Sequence, residues 1–159
     1  MMKIAVYGQN YSKETSQEAF TVLIDILNNA EVKIYVEKGF LSHQKDSIKN
    51  KVSIQKFTEL DSSFDLLISI GGDGTILRAI TYVKDLNIPI VGINTGRLGF
   101  LATIQTDDIE SSIKKVLKGD YKISKRSLLK VSTDPKNDNL SQTDFALNEI
   151  TVSRKNTTS

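Results

Sequence analysis

The chain has 159 residues, 39% hydrophobic and 25% charged, which suits a globular protein with one complete domain rather than two. Its net charge of +2 excludes a concentrated basic surface for nucleic acid, and the absence of cysteine excludes disulfides and thiolate metal sites. Because no apolar run is long enough for a signal peptide or a membrane span, we expect a cytoplasmic protein that binds neither nucleic acid nor membrane.

The N-terminal part of the sequence alternates predicted strands and helices. The apolar run Ile4–Tyr7 predicts a buried strand. Thr15 and Glu18 have the spacing of a capping box, and apolar residues then recur with helical period. Residues 32–36 predict a second strand. Residues 37–63 have weak periodicity and are interpreted as a surface helix or an irregular excursion.

The same alternation continues further along the chain. Residues 66–70 predict a strand, a helix is predicted to begin near Thr75, and residues 89–93 predict the next strand. Asp107 and Glu110 resemble a capping box at the start of another amphipathic helix. Repeated strand-helix units predict an α/β fold, a parallel sheet with helices on both faces in a Rossmann-like arrangement.

The pattern changes after this helix. Residues 127–132 and 143–153 predict strands joined directly by a polar loop, which favours antiparallel pairing. We therefore predict an α/β domain over residues 1–122 and the first strands of a β-rich domain over residues 123–159. The sequence stops just after a strand-like run, so we expect that the rest of this second domain is missing.

A glycine-rich motif joins the strand at residues 66–70 to the following helix. Gly71, Gly72, Gly74 and Thr75 are predicted to hold a di- or triphosphate, since backbone amides and a helix N-terminus favour anions. The motif lacks the lysine of a P-loop and does not have the spacing of a dinucleotide-binding fingerprint.

Asp73 is the unexpected member of this motif, because its carboxylate would repel a phosphate. An ionised aspartate is useful if a hydroxyl attacks the phosphoryl group, since it can accept the hydroxyl proton. Asp73 could instead bind a metal ion, or share both roles. The simplest alternative is that Asp73 only caps the helix that begins at Thr75. Spacing alone does not choose among these roles.

Three motifs in order resemble the NAD kinase family. The sequence GGDGT at 71–75 is shared with diacylglycerol and sphingosine kinases and, more loosely, with phosphofructokinases. VGINTGRLGFLA at 91–102 is similar to the NAD kinase form of the second loop, whereas the lipid kinases carry a different glycine-rich sequence there. ALNEITVSR at 146–154 resembles the Asn-Glu motif of the family. The resemblance extends over the whole chain.

The resemblance implies roles for individual residues. Asp73 would accept the proton of the 2′-hydroxyl on the adenosine ribose of NAD, and Gly74 would contact the dinucleotide beside it. Phe100 would lie against the adenine. Asn148 and Glu149 would hydrogen-bond the dinucleotide, as an amide can both donate and accept and a carboxylate can accept from a ribose diol.

Four further residues keep two interpretations each. Arg78 either reaches a phosphate or is an ordinary surface arginine. Asn94 either binds ligand or caps a turn. Gly96 and Gly99 either belong to the ligand-binding loop or serve a backbone that needs positive φ angles.

The resemblance also implies the reaction and its partners. The full-length protein would be an NAD kinase that uses ATP, or polyphosphate, as donor, with Mg²⁺ and with NAD as acceptor. It would assemble as a homo-dimer or homo-tetramer. We assign no residue as a metal ligand, and we expect the fragment alone to be inactive because the family's second domain supplies part of the NAD site. The alternatives are a lipid- or sugar-directed kinase of the same superfamily and a non-catalytic nucleotide-binding module.

Overall fold

The protein is described here by a computed structural model, and its contacts divide the chain into two compact units, Met1–Lys122 and Ile123–Ser159. The structure describes residues 1–9, 14–45, 53–97, 99–135 and 144–153. Within these ranges no helix combines the length and the apolar character needed to cross a bilayer.

The first unit is built on a six-stranded sheet whose strands are all parallel, in the order β3-β2-β1-β4-β5-β6. The strands are β1 (Lys3–Gly8), β2 (Lys33–Glu37), β3 (Ile54–Phe57), β4 (Leu66–Gly71), β5 (Ile90–Asn94) and β6 (Ile104–Gln105). The described helices are α1 (Glu14–Asn28), α2 (Lys38–Ser42), α3 (Asp73–Val83) and α4 (Ile109–Leu117), with a 3₁₀ turn at Thr106–Asp108.

Alternate residues of β1 enter two separate cores. Ile4 and Val6 pack with α1, α2 and α4 on one face of the sheet. Ala5 and Tyr7 pack with α3 on the other face. Because both faces are covered, the central strands are apolar along their length. The predicted α/β fold, with helices on both faces of a parallel sheet, is confirmed.

Both predicted capping boxes are wrong. Thr15 lies inside α1, and its Oγ1 donates to the carbonyl oxygen of Thr95 at 3.3 Å instead of capping the helix. Asp107 lies in the 3₁₀ turn, and the N-cap of α4 is Asp108, whose side chain makes no capping bond. The Thr15 hydroxyl therefore bonds to a residue distant in sequence, although the local pattern predicted that it would cap the helix.

Two strands at the edges of the sheet were not predicted from the sequence. β3 lies within the ambiguous stretch 37–63, and its residues are mostly exposed, so its alternation was weak. β6 is only two residues long and pairs with the end of β5. Short strands at a sheet edge carry little apolar pattern, because they are covered on one side only.

In the second unit the predicted antiparallel pairing is present but short. β7 (Leu129–Lys130) pairs with β8 (Phe145–Ala146), and the amide of Val131 donates to the carbonyl oxygen of Asp144 at 2.6 Å. Leu128 and Leu129, in the first of these predicted strands, are both exposed. Residues 136–143 of the predicted loop and strand lie outside the described residues.

Candidate functional site

The glycine-rich motif forms a tight turn between β4 and α3. Gly71 has φ of +148°, and a Cβ there would overlap the buried side chain of Thr75. Only glycine suits this position, since it combines an unusual backbone with a close contact. The surroundings of Gly72 and Gly74 differ, because a Cβ at either would meet no atom within 4 Å. The turn is therefore fixed at Gly71 and open at Gly72 and Gly74, while the amide of Thr75 donates to the carbonyl oxygen of Gly72 at 2.9 Å.

Asp73 connects this turn to the second loop. Its Oδ2 accepts from the amide of Phe100 at 2.7 Å. Its Oδ1 accepts from the amides of Leu101 at 2.9 Å and Ala102 at 3.0 Å. Three backbone donors that lie 27 to 29 residues away in sequence thus converge on one half-buried carboxylate.

The interpretation of Asp73 as a simple helix cap is wrong. Helix α3 begins at Asp73 itself, its N-cap residue is Gly72, and no side chain caps it. The carboxylate is occupied by the 100–102 segment instead, which no local spacing rule could indicate. Asp73 remains half-buried rather than sealed in the interior, so a ligand can reach the group.

The backbone hydrogen bonds lower the pKa of Asp73 below its ordinary value. The hydrogen bond from Ala102 has the largest effect and the one from Phe100 the next largest, while burial acts in the opposite direction. Each donor stabilises the charged form. Asp73 is therefore ionised at neutral pH, as a proton acceptor must be.

This lowered pKa predicts a pH-dependent stability. A carboxyl whose pKa is lower in the folded state stabilises the protein above its unfolded-state value, and that contribution is lost as pH falls through the folded-state pKa. We expect urea unfolding between pH 7 and pH 3 to show a steeper loss of stability in the wild type than in Asp73→Asn. Asp61 and Glu110 also have a lowered pKa, but both proteins share them, so they cancel in the comparison. Parallel curves would contradict the prediction.

Gly99 is required by the approach of Asp73. A Cβ at Gly99 would overlap the Asp73 carboxylate, whereas a Cβ at Gly96 would meet no atom within 4 Å. The interpretation that Gly96 and Gly99 serve positive φ angles is wrong, since neither adopts one. The close contact at Gly99 depends on a residue remote in sequence, so composition alone could not reveal it.

Asn94 caps the turn at the end of β5, where it is paired in register with Gly71. Its Oδ1 accepts from the amide of Gly96 at 3.0 Å. The side chain is 1% exposed, and its Nδ2 has no hydrogen-bond partner among the described residues. The turn-capping interpretation is therefore confirmed, and a role in ligand binding stays a prediction.

Phe100 projects into solvent from the segment that Asp73 holds. The residue is 95% exposed although its amide is fixed by the Asp73 carboxylate. An apolar ring on a fixed backbone is a surface on which a flat ligand can stack.

The three other predicted residues are all exposed. Arg78 is exposed on α3 and borders a depression of about 300 Å³ at the ends of β1 and β2. Asn148 and Glu149 are exposed residues of the second unit, directly after β8. Their roles stay predictions.

Sequence reasoning missed three residues that line the depression beside Arg78, namely Tyr7, Glu37 and Tyr82. One signal was available, since Tyr7 and Glu37 each lie at the end of an apolar run that predicts a parallel strand. Ligands of open α/β sheets bind at those ends.

Among the described residues, no three His, Cys, Asp or Glu side chains cluster as metal ligands. Mg²⁺ is commonly held by one or two carboxylates together with substrate phosphates.

Residues 4–121 match the protein family described as "ATP-NAD kinase N-terminal domain". Curated relatives include the NAD kinase of Christiangramia forsetii, 47% identical over 161 residues, and that of Flavobacterium psychrophilum, 48% identical over 163 residues. Each alignment covers 99% of this chain and 54% of the relative. The chain therefore spans about half the length of the curated relatives it matches.

Solved structures share the fold. The crystal structure of yeast NADH kinase complexed with NADH superposes with a TM-score of 0.69 at 21% identity, over 82% of this chain and 42% of that one. An NAD kinase from Archaeoglobus fulgidus in complex with ATP gives a TM-score of 0.50 at 24% identity, over 81% and 40% of the two chains.

Proposed function

The chain belongs to the ATP-NAD kinase family, and we propose that the full-length protein transfers the terminal phosphoryl group of ATP to NAD, giving NADP. The acceptor is the 2′-hydroxyl of the adenosine ribose. The observation that carries this proposal is the Gly71–Thr75 turn, where the ionised, half-buried carboxylate of Asp73 lies next to open space at Gly72 and Gly74. Relatives that are named NAD kinase support this proposal.

In the proposed reaction the 2′-oxygen bonds to the γ-phosphorus while the bond from that phosphorus to the bridging oxygen of ADP breaks. The hydroxyl proton passes to Asp73. A carboxylate offers about four lone-pair sites, and Asp73 uses two on Oδ1 and one on Oδ2. The remaining site on Oδ2 is the one available to the hydroxyl.

The lowered pKa of Asp73 makes it a weak base, so proton transfer is expected late in the reaction. Phosphoryl transfer passes through a loose transition state in which the attacking hydroxyl becomes acidic only as its bond to phosphorus forms. A weak but permanently ionised acceptor suits that order of events.

The donor phosphates are proposed to meet the backbone of Gly71, Gly72, Gly74 and Thr75 at the N-terminus of α3. The dipole and the unpaired amides of a helix start favour the phosphate charge. Mg²⁺ would neutralise part of the charge on the triphosphate, bound mainly to phosphate oxygens and water.

The acceptor is proposed to bind through the residues that the sequence predicted for it. Phe100 would stack on the adenine, Asn94 would offer its unpaired Nδ2, and Asn148 with Glu149 would hydrogen-bond the dinucleotide. The complexes of yeast NADH kinase with NADH and of the Archaeoglobus fulgidus NAD kinase with ATP support these two classes of ligand. A cytoplasmic location and a homo-oligomeric assembly belong to the same proposal.

The direct test is NADP formation by the purified full-length protein. With ATP, Mg²⁺ and NAD, we expect NADP to accumulate, measured with an NADP-specific dehydrogenase. Diacylglycerol and free sugars should not be phosphorylated in parallel assays with labelled ATP. Labelled lipid or sugar without NADP would favour the rival kinases of the superfamily. Nucleotide binding without any transfer would favour a non-catalytic module.

A further inference from the structure

A second polar site lies on the α3 side of the sheet, in the depression of about 300 Å³ that borders Arg78. Tyr7 lies near the end of β1, and Glu37 is the last residue of β2. Arg78 and Tyr82 are one helical turn apart on α3 and line the same space. The depression therefore opens at the carboxyl ends of parallel strands, where open α/β sheets bind ligands.

Two opposite charges in this depression have unused binding capacity. Glu37 accepts the amide of Phe40 at 2.6 Å through Oε2, and within the described ranges its Oε1 has no partner. The Arg78 guanidinium likewise forms no ion pair or hydrogen bond with any described residue. Glu37 and Arg78 both act electrostatically on Tyr7, so the two charges face the same space without neutralising each other directly.

The aromatic wall between the two charges is neutral. The rings of Tyr7 and Tyr82 are 5.1 Å apart, and burial, then Glu37 and Tyr7, raise the pKa of Tyr82 to about 12. Both phenols therefore keep their protons and can donate as well as accept hydrogen bonds. The wall combines apolar ring surface with polar tips, as nucleoside pockets commonly do.

From this arrangement we infer that the depression binds the ribose and adjoining phosphate of the nucleoside triphosphate donor, with Glu37 on the ribose hydroxyls and Arg78 on the phosphate. A carboxylate at the end of the second strand is well placed to accept from vicinal hydroxyls. The volume is at the low end for ligand pockets, so it admits a nucleoside but not a whole dinucleotide.

The position of the depression relative to Asp73 favours binding of the donor, ATP, over binding of the acceptor, NAD. Arg78 follows Asp73 by five residues on α3, a rise of about 7.5 Å along the helix axis and a rotation of about 140° around it. A triphosphate that curves around the start of α3 would have its terminal group at Asp73 and its ribose in the depression. Phe100, proposed to meet the acceptor, contacts Asp73 through the other loop, so the two substrates would approach Asp73 from different sides.

This inference rests on the proposed kinase function, and the test is donor kinetics in the full-length protein. Glu37→Gln keeps an oxygen for the Phe40 amide while removing the charge, and Arg78→Gln removes the cation. We expect each to raise KM for ATP about tenfold and to leave KM for NAD within about twofold. Glu59→Gln and Lys84→Gln, which change exposed charges elsewhere, should leave both constants unchanged.

Dideoxy ATP identifies the group that Glu37 binds. The wild type should show a KM for 2′,3′-dideoxy-ATP about tenfold above that for ATP, and Glu37→Gln should reduce this difference to about twofold or less. Equal KM values for the two donors in the wild type would overturn the inference. So would a rise in KM for NAD alone, which would mean that the depression holds the acceptor.

Calorimetric binding of ATP separates the two possible failures. If the full-length protein forms no NADP, the proposed function fails, but ATP affinity in the wild type and in Glu37→Gln still tests the depression. A loss of affinity of about tenfold in the variant would support the site. Unchanged affinity, with both proteins folded by circular dichroism, would overturn it.

Discussion

Asp73→Asn is expected to lower kcat of NADP formation by the full-length protein about 10²–10⁴-fold, the range typical of losing a positioned general base. The amide cannot accept the hydroxyl proton at neutral pH. KM for ATP should change much less, since the backbone of the Gly71–Thr75 turn is retained. The measurement is steady-state kinetics at saturating NAD and Mg²⁺-ATP.

The structure adds a second effect to the same substitution. Asparagine is nearly isosteric with aspartate, so its size alone would leave the fold intact. However, three amides converge on the carboxylate, and an asparagine would turn its own NH₂ toward at least one of them. An unsatisfied donor costs about 1–3 kcal/mol, so we expect reduced stability together with altered amide shifts at Phe100, Leu101 and Ala102.

These two effects can be separated. Asp85→Asn, an exposed aspartate just after the same helix, controls for a change of charge and should leave kinetics and unfolding unchanged. If Asp73→Asn retained full turnover while its loop amides shifted, Asp73 would be a structural anchor and not the proton acceptor. If turnover fell with no loss of stability, the hydrogen bonds to the 100–102 segment would contribute little.

The fold was largely predictable because its signals are local. Ile4–Tyr7, residues 66–70 and residues 89–93 are short apolar runs between turn signals, and in each case the buried strand is present within a residue or two. Such runs are buried on both faces, so their pattern does not depend on which strand lies beside them.

The site was predictable in composition but not in geometry. The glycine-rich turn Gly71–Thr75, with Asp73 as its unexpected member, could be recognised from its residue types, and its phosphate-binding role stays a prediction. What no sequence spacing indicated was that Asp73 holds the amides of Phe100–Ala102. The capping boxes predicted at Thr15 and Asp107 were wrong for a similar reason. Polar side chains at the start of a helix have several competing partners, and only the folded structure selects one.

The contact between Gly99 and Asp73 yields the second large prediction. Gly99→Ala is expected to destabilise the protein by about 1–3 kcal/mol, the usual cost of forcing extra atoms into a packed contact. The new methyl would overlap the Asp73 carboxylate, so either the 100–102 segment or the Asp73 side chain must move. A displacement of about 1 Å at a catalytic group can reduce turnover about 10²-fold, and we expect a loss of that order in kcat.

Gly96→Ala is the matched control, since it adds the same methyl three residues earlier in the same loop, where nothing lies within 4 Å. Its unfolding midpoint and kcat should stay close to those of the wild type. Combining Gly99→Ala with Asp73→Asn should cost less than the sum of the two single changes, because both disturb one contact. Strict additivity in urea unfolding would show that Gly99 and Asp73 act independently, and the close approach would then have no energetic consequence.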